Sequence, residues 1–312
     1  MRKIAVIGPG RVGEATAQLL AQQSLCRELV LLGLDDNAAR GIALDIQESA
    51  PLFGFDTRVN GGADPRLLGG AELVIVTAGQ PRKPGMSRDQ LREANLAVLD
   101  AVLADVMRYA PTAMLLLVSN PVDVLTYHAW KQSGWPRNRI FGLSGVLDGA
   151  RMASFVAQVS GYSVRDITAM VIGGHGDAMV PLPAYTCVNG IPIRYVLDPA
   201  AIDKIIDHTR RGGAEILALK QSSSAYDSPA AAIAVMAEAV IRNRKRILPC
   251  VAVLDGEYGQ RDLAIGVPVV VGERGVERVI ELKLTDEERR GFADSAAQVR
   301  KDLALLSEGT PG

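Results

Sequence analysis

Cysteine is scarce in this sequence, and the few cysteines present form no pattern. The chain of 312 residues has three, Cys26, Cys187 and Cys250, which lie far apart and lack the spacing of metal ligands. An odd, scattered set argues against a disulfide framework and favours a reducing, cytoplasmic environment. We expect no metal site.

An excess of charge of one sign is also missing, as are long apolar runs. The 34 basic and 35 acidic residues give a net charge of −1, so no nucleic-acid partner is expected. No apolar run has the length of a membrane span, so we expect no membrane partner. Because Met1 to Lys3 lead directly into a predicted strand, we expect no signal peptide. Small charged metabolites remain as partners, because a few local arginines can bind them.

The first half of the chain alternates short apolar runs with helical patterns. The length of the whole chain favours two domains, and its content of 48% hydrophobic and 22% charged residues is typical of a globular protein. We predict strands at residues 4–7, 28–32, 73–77, 114–118 and 139–143, and helices at 12–24, 37–48 and 88–109. Apolar strands that alternate with helices indicate an α/β fold with a parallel sheet covered on both faces.

The second half has a different character. We predict helices at 146–160, 200–219 and 229–243, strands at 167–172, 247–254 and 263–271, and a hairpin turn at Asn189-Gly190. A last helix follows Thr285, which with Glu288 is predicted to form a capping box. These elements indicate an α+β domain, and the change of pattern places the two domains at residues 1–145 and 146–312.

A glycine-rich loop follows the first strand. Gly8, Pro9, Gly10, Arg11, Val12 and Gly13 fit the pattern G-x-G-x-x-G. Because this loop lies between a strand and a helix, it predicts a dinucleotide site in a doubly wound, Rossmann-type parallel sheet. The glycines allow a tight turn and close approach of a pyrophosphate, which the helix N-terminus favours.

The second strand ends without the acidic residue that usually accompanies this loop. Gly33 occupies the place of the carboxylate that binds the adenosine ribose, and Asp35 and Asp36 follow it. Glycine removes an acceptor for the 2′-hydroxyl and also the repulsion against a 2′-phosphate. Because no arginine follows at once and the two aspartates disfavour more negative charge, we predict that NAD is preferred and that NADP is not strictly excluded.

One of only three histidines stands alone among glycines. His175 lies in the sequence Gly173-Gly174-His175-Gly176-Asp177, whereas His128 and His208 lie in predicted helices. An imidazole presented where a strand breaks into glycines is typical of a functional site, and histidine exchanges protons near neutral pH. We therefore predict that His175 is a general acid/base.

Three further segments carry polar residues after strands or at a helix start. The loop at residues 80–88 contains Arg82 and Arg88 and is predicted to be a lid that binds carboxylates. Asn120 either orients a ligand or caps the next helix. Asp148 and Arg151 are spaced either as an intrahelical ion pair or as partners of a histidine and a substrate carboxylate. The spacing leaves both alternatives open.

Together these motifs resemble those of the lactate/malate dehydrogenase superfamily, and in particular its bacterial malate enzymes of the lactate-dehydrogenase-like type. The resemblance covers almost the whole chain, and its most specific segments are residues 81–88, 120–121, 147–151 and 173–177. It implies a Rossmann domain followed by a catalytic domain, NAD as cofactor, a dicarboxylate substrate, and a homodimer or homotetramer.

The resemblance also implies a role for each matching residue. His175 would exchange the proton, Asp148 would orient its imidazole, Arg88 would polarise the substrate carbonyl, and Arg151 would bind the C1 carboxylate. Residues implied to contact cofactor or substrate are Thr77, Ala78, Gly79, Asn95, Val118, Ser119 and Asn120.

Arg82 is implied to select the substrate. An arginine at this position suits a second carboxylate, whereas a methyl group would leave the guanidinium unpaired in a closed site. The sequence therefore predicts oxaloacetate and (S)-malate as substrates, with lactate or another 2-hydroxy acid as the alternative. A non-catalytic dinucleotide-binding sensor is a more distant alternative.

Overall fold

A computed structural model describes residues 2–80, 87–221 and 223–307 of the chain. Its strands are β1 Lys3–Ile7, β2 Glu28–Leu32, β3 Arg58–Gly62, β4 Leu73–Val76, β5 Met114–Leu117, β6 Ile140–Gly142, β7 Ile167–Thr168, β8 Val171–Gly173, β9 Met179–Pro181, β10 Cys187–Val188, β11 Ile191–Pro192, β12 Arg246–Asp255, β13 Arg261–Gly272 and β14 Gly275–Val279.

The helices lie between these strands and at the end of the chain. They are α1 Arg11–Gln22, α2 Asp36–Glu48, α3 Ala50–Phe53, α4 Arg88–Tyr109, α5 Val122–Ser133, α6 Gly145–Ser160, α7 Pro199–Lys220, α8 Asp227–Ile241 and α9 Asp286–Ser307. Within the described ranges, none of them is both long and apolar enough to cross a membrane.

The first six strands form a parallel sheet in the order β3-β2-β1-β4-β5-β6. This order confirms the predicted doubly wound, Rossmann-type sheet. Antiparallel strands from the second half extend the same sheet, because β12 pairs with β6 and β13, and β8 and β14 pair with β13. A separate small sheet has the order β11-β10-β7.

The central strands are buried on both faces of the sheet. In β1, Ile4 and Val6 enter one hydrophobic core, while Ala5 and Ile7 enter another on the opposite face. Successive strand residues point to opposite faces, so a strand covered by helices on both sides must be apolar throughout. This is why the strands of the first half were recognisable as short apolar runs.

Two local predictions based on side-chain chemistry are confirmed. Asn189 and Gly190 both adopt positive φ in the tight turn between β10 and β11. At the start of α9, the backbone N–H of Glu288 donates to Thr285 Oγ1, and the backbone N–H of Thr285 donates to Glu288 Oε2. Both depend on residues close in sequence, so the sequence was sufficient to identify them.

The strand predicted at residues 167–172 is wrong as a single element. The segment divides into β7, which pairs with β10 in the small sheet, and β8, which pairs with β9 and β13 in the large one. An apolar run records burial but not the sheet in which each part is buried. The division between two sheets is a tertiary feature that periodicity does not carry.

The sequence prediction also missed the edge strand β3. Its sequence contains Asn60, Gly61 and Gly62, which are poor strand formers. Main-chain pairing with β2 holds it, and a Cβ at Gly61 would lie 2.1 Å from the carbonyl oxygen of Ala39 in α2. The glycine is therefore required by the close approach of α2, a contact that the sequence does not reveal.

Candidate active site

The glycine-rich loop joins β1 to α1 at the carboxyl edge of the parallel sheet. Gly8 has a φ of +99°, and a Cβ there would lie 2.4 Å from the backbone nitrogen of Ala78. A Cβ at Gly13 would lie 2.2 Å from the carbonyl oxygen of Gly8, whereas at Gly10 it would meet no atom within 4 Å. The outer two glycines therefore serve internal packing, and Gly10 faces open space.

The start of α1 has unoccupied backbone donors. Gly10 is the N-cap residue, and no side chain of the described residues caps the helix. A helix N-terminus without a side-chain cap, beside a glycine that faces open space, can bind an anion through its N–H groups and its dipole. Arg11 and Val12 begin this helix, with Arg11 exposed and Val12 packed against the core.

The ends of β4 and β5 lie beside the glycine-rich loop. We call the edge of the sheet formed by this loop and these two strand ends the groove. The Thr77 hydroxyl donates to the carbonyl oxygen of Gly8 at 2.7 Å, and the Ser119 hydroxyl donates to the carbonyl oxygen of Ala78. Val118 continues β5 by donating its backbone N–H to Val76 at 3.0 Å. These bonds fix the three strand ends relative to one another.

The side chain of Asn95 on α4 joins the loops that follow β4 and β5 by hydrogen bonds. Its side chain, in a residue only 3% exposed, accepts from the backbone N–H of Gln80 at 2.6 Å and donates to the carbonyl oxygen of Asn120 at 2.7 Å. A Cβ at Gly79 would lie 3.1 Å from Asn95 Oδ1. Asn95 therefore shapes the groove by holding the backbone of Gln80 and Asn120. Asn120 itself is exposed.

The space beside Gly33 is filled by the glycine-rich loop. A Cβ at Gly33 would lie 2.7 Å from Cγ of Pro9 and 3.0 Å from its Cδ. Asp35 caps α2 by accepting from Ala38 N at 3.0 Å, and Asp36 accepts from Ala63 N at 3.0 Å. The ring of Pro9 therefore occupies the space that a side chain at position 33 would need. The side chains of Asp35 and Asp36 are engaged in hydrogen bonds to backbone N–H groups.

The predicted proton-transfer residues meet at the C-terminal end of β8. His175 Nδ1 lies 2.9 Å from Asp148 Oδ2, and Arg151 Nη1 lies 3.1 Å from Asp148 Oδ1. Asp148 is 1% exposed. Asp148 therefore forms the intrahelical ion pair with one oxygen and binds the histidine with the other.

Burial and charge act in opposite directions on the imidazole. Burial disfavours its charged form, but the charge and hydrogen bond of the Asp148 carboxylate, together with the charge of Asp123, raise the pKa of His175 above the usual value. With Nδ1 bonded to Asp148, Nε2 is left to exchange a proton with a ligand.

Two residues that the sequence reasoning missed hold the backbone of the histidine segment. The backbone N–H of Gly174 donates to Ser295 Oγ of α9 at 2.8 Å, and the backbone N–H of His175 donates to Asp123 Oδ2 of α5 at 2.9 Å. Both side chains are buried. Asp123 follows the Asn120-Pro121 motif by two residues, and this proximity was the only signal for it in the sequence.

The lid predicted at residues 80–88 falls largely outside the described residues. Arg82 lies in the undescribed stretch 81–86, and of Arg88 the structure describes only the backbone, as the first residue of α4. The described part ends in a capping box, in which Ser87 and Gln90 exchange side-chain and backbone bonds. Helix α4 thus begins where the predicted lid ends.

Comparison with known proteins agrees with the geometry. Residues 2–142 match the NAD binding domain of lactate/malate dehydrogenase, and residues 145–308 match the alpha/beta C-terminal domain of the same family. A malate dehydrogenase of Thioalkalivibrio sulfidiphilus is 63% identical over 98% of this chain and 100% of its own length.

Solved structures extend the comparison to both branches of the family. The malate dehydrogenase of Salinibacter ruber superposes with a TM-score of 0.94 at 43% identity, over 98% of each chain. A lactate dehydrogenase of Cryptosporidium parvum, complexed with lactic acid and nicotinamide adenine dinucleotide, gives 0.95 at 36% identity over 99% of each chain. The fold alone therefore does not separate the two activities. With both domain matches and a site built around His175 and Asp148, the chain belongs to the lactate/malate dehydrogenase family.

Proposed function

We propose that this protein is an NAD-dependent malate dehydrogenase, which interconverts (S)-malate and oxaloacetate by hydride transfer. The observation that carries this proposal is the carboxylate of Asp148, which is shared by an imidazole and a guanidinium. One buried group thereby aligns a proton donor with a cation that can bind a carboxylate. A 2-hydroxy acid presents a hydroxyl and a carboxylate on adjacent carbons, which matches this pair.

The groove fits NAD through its backbone. The N–H groups at Gly10 and the start of α1 suit the pyrophosphate, and the ends of β4 and β5 at Gly79 and Ser119 line the path toward His175. When bound, NAD supplies the hydride acceptor or donor. Gly33 supplies no carboxylate for the ribose, while Asp35 and Asp36 disfavour a further phosphate, so NAD is the preferred cofactor.

His175 moves the proton. During oxaloacetate reduction, Nε2 of the protonated imidazole donates to the carbonyl oxygen of the substrate, and during malate oxidation neutral Nε2 accepts the hydroxyl proton. Asp148 keeps the other ring nitrogen bonded and stabilises the charged form, which favours the donor role near neutral pH.

Arg151 binds the C1 carboxylate of the substrate. Its Nε is buried and has no hydrogen-bond partner among the residues that the structure describes. Gly213 of α7 lies beside the guanidinium, and a Cβ there would stand 3.6 Å from Nη1. A buried guanidinium with a spare donor, bordered by a residue without a side chain, suits a carboxylate ligand.

Arg82 makes the distinction from lactate dehydrogenase. Arg82 pairs with the C4 carboxylate of the substrate, and Arg88 polarises the carbonyl as the lid excludes water. With pyruvate, Arg82 would face a methyl group and stay unpaired. The proposal for these two residues rests on their place in the sequence and on the 63% identity to a malate dehydrogenase.

A matrix of two cofactors and two substrates tests the function. We expect rapid NADH oxidation with oxaloacetate, slow oxidation with pyruvate, and a lower kcat/KM with NADPH. Faster pyruvate reduction would favour the lactate alternative. NADH binding without turnover of either substrate would instead favour the sensor.

The remaining proposals concern the domain boundaries, the assembly and the cellular compartment of the enzyme. We propose a cytoplasmic homodimer or homotetramer with domains at residues 1–145 and 146–312. The three cysteines are free, and burial raises the thiol pKa of Cys26 and Cys250 to about 12, which suits a reducing compartment. Size-exclusion chromatography with light scattering distinguishes the two assemblies, and a monomer would contradict both.

A further inference from the structure

The histidine segment is held by two adjacent backbone bonds of different chemistry. Ser295 binds the N–H of Gly174 with a neutral hydroxyl, and Asp123 binds the N–H of His175 with a carboxyl oxygen. The two side chains come from two different helices, α9 and α5. Two hydrogen bonds thus hold the backbone of the segment. Of the two acceptors, only the carboxyl group of Asp123 can change its charge.

Asp123 is placed where a carboxylate is costly. The residue is 6% exposed, and its second oxygen, Oδ1, is buried with no hydrogen-bond partner among the described residues. A neutral acceptor such as serine would satisfy the same N–H at a smaller desolvation cost. The presence of an acid indicates that its charge has a use at this position.

Burial dominates the ionisation of this acid. It raises the pKa of Asp123 to about 7, while the His175 N–H and the charge of His175 act in the opposite direction. The effect is mutual, because Asp123 also helps to raise the pKa of His175. The carboxylate and the imidazolium therefore stabilise each other and titrate as a coupled pair.

Other charged groups face this pair from each packed element. From α6, Asp148 favours the imidazolium and Arg151 opposes it. A cavity of about 510 Å³ next to Asp123 and His175 is also lined by charged residues of the histidine loop, α7 and α9, namely Asp177, Arg210, Asp294 and Asp302. The last two lie on α9 with Ser295 and add negative charge to the lining of the cavity.

We propose that Asp123 is a positioning residue for proton transfer, whose buried carboxylate at the backbone N–H of His175 supports the charged imidazolium together with Asp148. This inference rests on the proposed function, because it assigns Asp123 to the protonation of His175. Asp148 binds the ring directly, whereas Asp123 acts through the backbone and through its charge. Ser295 provides the same kind of backbone anchor without the charge.

The proton affinity of His175 can be measured without any substrate. The chain has only three histidines, so the NMR signals of all the imidazole rings can be followed against pH in the whole protein. The signal that is absent from the His175→Asn variant is that of His175. Asp123→Asn keeps an oxygen that accepts the His175 N–H but removes the charge. We expect the His175 pKa to fall by about one unit in this variant.

Ser295→Ala is the matched control. It removes the neighbouring backbone bond without removing a charge, so we expect its His175 pKa to equal that of the parent. Equal pKa values in the parent and Asp123→Asn would overturn the proposal, as would an equal fall in both variants. If Asp123→Asn does not fold, the same titration of Asp123→Ser, which also retains an acceptor, decides the question.

Kinetics provide the second readout. In the pH profile of kcat/KM for oxaloacetate, we expect Asp123→Asn to move the fall at high pH to lower pH, and Ser295→Ala to lower the profile without moving it. An unmoved profile in Asp123→Asn would contradict the role in proton transfer. If the parent reduced no oxaloacetate, the proposed function would fail, while the NMR titration would still decide whether Asp123 sets the proton affinity of His175.

Discussion

The cofactor groove is built mainly from backbone, whereas the proton-transfer site is built from side chains of several elements. Gly8, Gly10 and Gly13 lie within six residues, and the close contacts that require a glycine are with backbone, Gly13 against Gly8 and Gly8 against Ala78. At His175 and the adjacent Gly174, the partners Asp123, Asp148 and Ser295 come from α5, α6 and α9. A groove made by missing side chains leaves a short sequence signature, but a site made by converging side chains leaves only scattered residues.

The two regions should also fail independently, and His175→Asn gives the largest expected effect. Loss of the general acid should lower kcat for oxaloacetate reduction about 10³-fold, while NADH affinity stays within about twofold. Stopped-flow kinetics and NADH fluorescence titration measure the two quantities. Loss of NADH binding would show that the two regions are not separable.

Asp148→Asn should give a smaller loss that depends on pH. The carboxylate raises the pKa of His175, so the protonated donor persists to higher pH in the parent than in a variant without that charge. We expect kcat/KM for oxaloacetate to fall about 10²-fold at pH 8 and less at pH 6. A loss that is the same at both pH values would contradict the assigned charge effect.

Arg82→Gln should change the substrate rather than the cofactor. Loss of the charge leaves the C4 carboxylate unpaired and removes the penalty against a methyl group, so the preference for oxaloacetate over pyruvate should fall about 10²-fold. The ratio of kcat/KM for the two substrates measures this effect. Arg11→Gln, a charge removal at the exposed start of α1, is the control and should leave the ratio unchanged.

Gly10→Ala and Gly13→Ala test the cofactor groove with a matched pair of single methyl groups. At Gly10 the methyl meets no protein atom, so thermal stability should be unchanged while NADH affinity falls about tenfold through collision with the pyrophosphate. At Gly13 it meets the Gly8 carbonyl, and stability should fall by about 1–3 kcal/mol. Equal stability of the two variants would contradict the packing described for this turn.

Gly33→Asp should give the smallest change, and the size of that change depends on Pro9. Alone, the new side chain collides with the proline ring, so selectivity for NADH over NADPH should rise less than about threefold. Combined with Pro9→Ala, which frees that space, it should rise about tenfold. Dissociation constants of the two cofactors measure it, and full selectivity in the single variant would show that Pro9 imposes no constraint.

The outcome for individual elements shows where sequence reasoning is effective. The doubly wound sheet was predictable because strands such as β4, buried on both faces, must be apolar throughout, and the hairpin at Asn189-Gly190 because its turn needs positive φ. Strand β3 was missed because pairing with β2 holds it despite its glycines. The run 167–172 was misread because only the tertiary fold assigns its halves to different sheets.

The sequence by itself determined the α/β class, the dinucleotide loop, the family resemblance and the candidacy of His175, because each is carried by residues in close or regular spacing. The tertiary structure decided which acids serve that histidine. The chain separates His175 from Asp148 by 27 residues and from Asp123 by 52, and it separates the neighbouring Gly174 from Ser295 by 121, yet folding brings each pair within hydrogen-bond distance. Burial in that fold also raises the pKa of Asp123 to about 7, since desolvation depends on packing rather than on sequence neighbours.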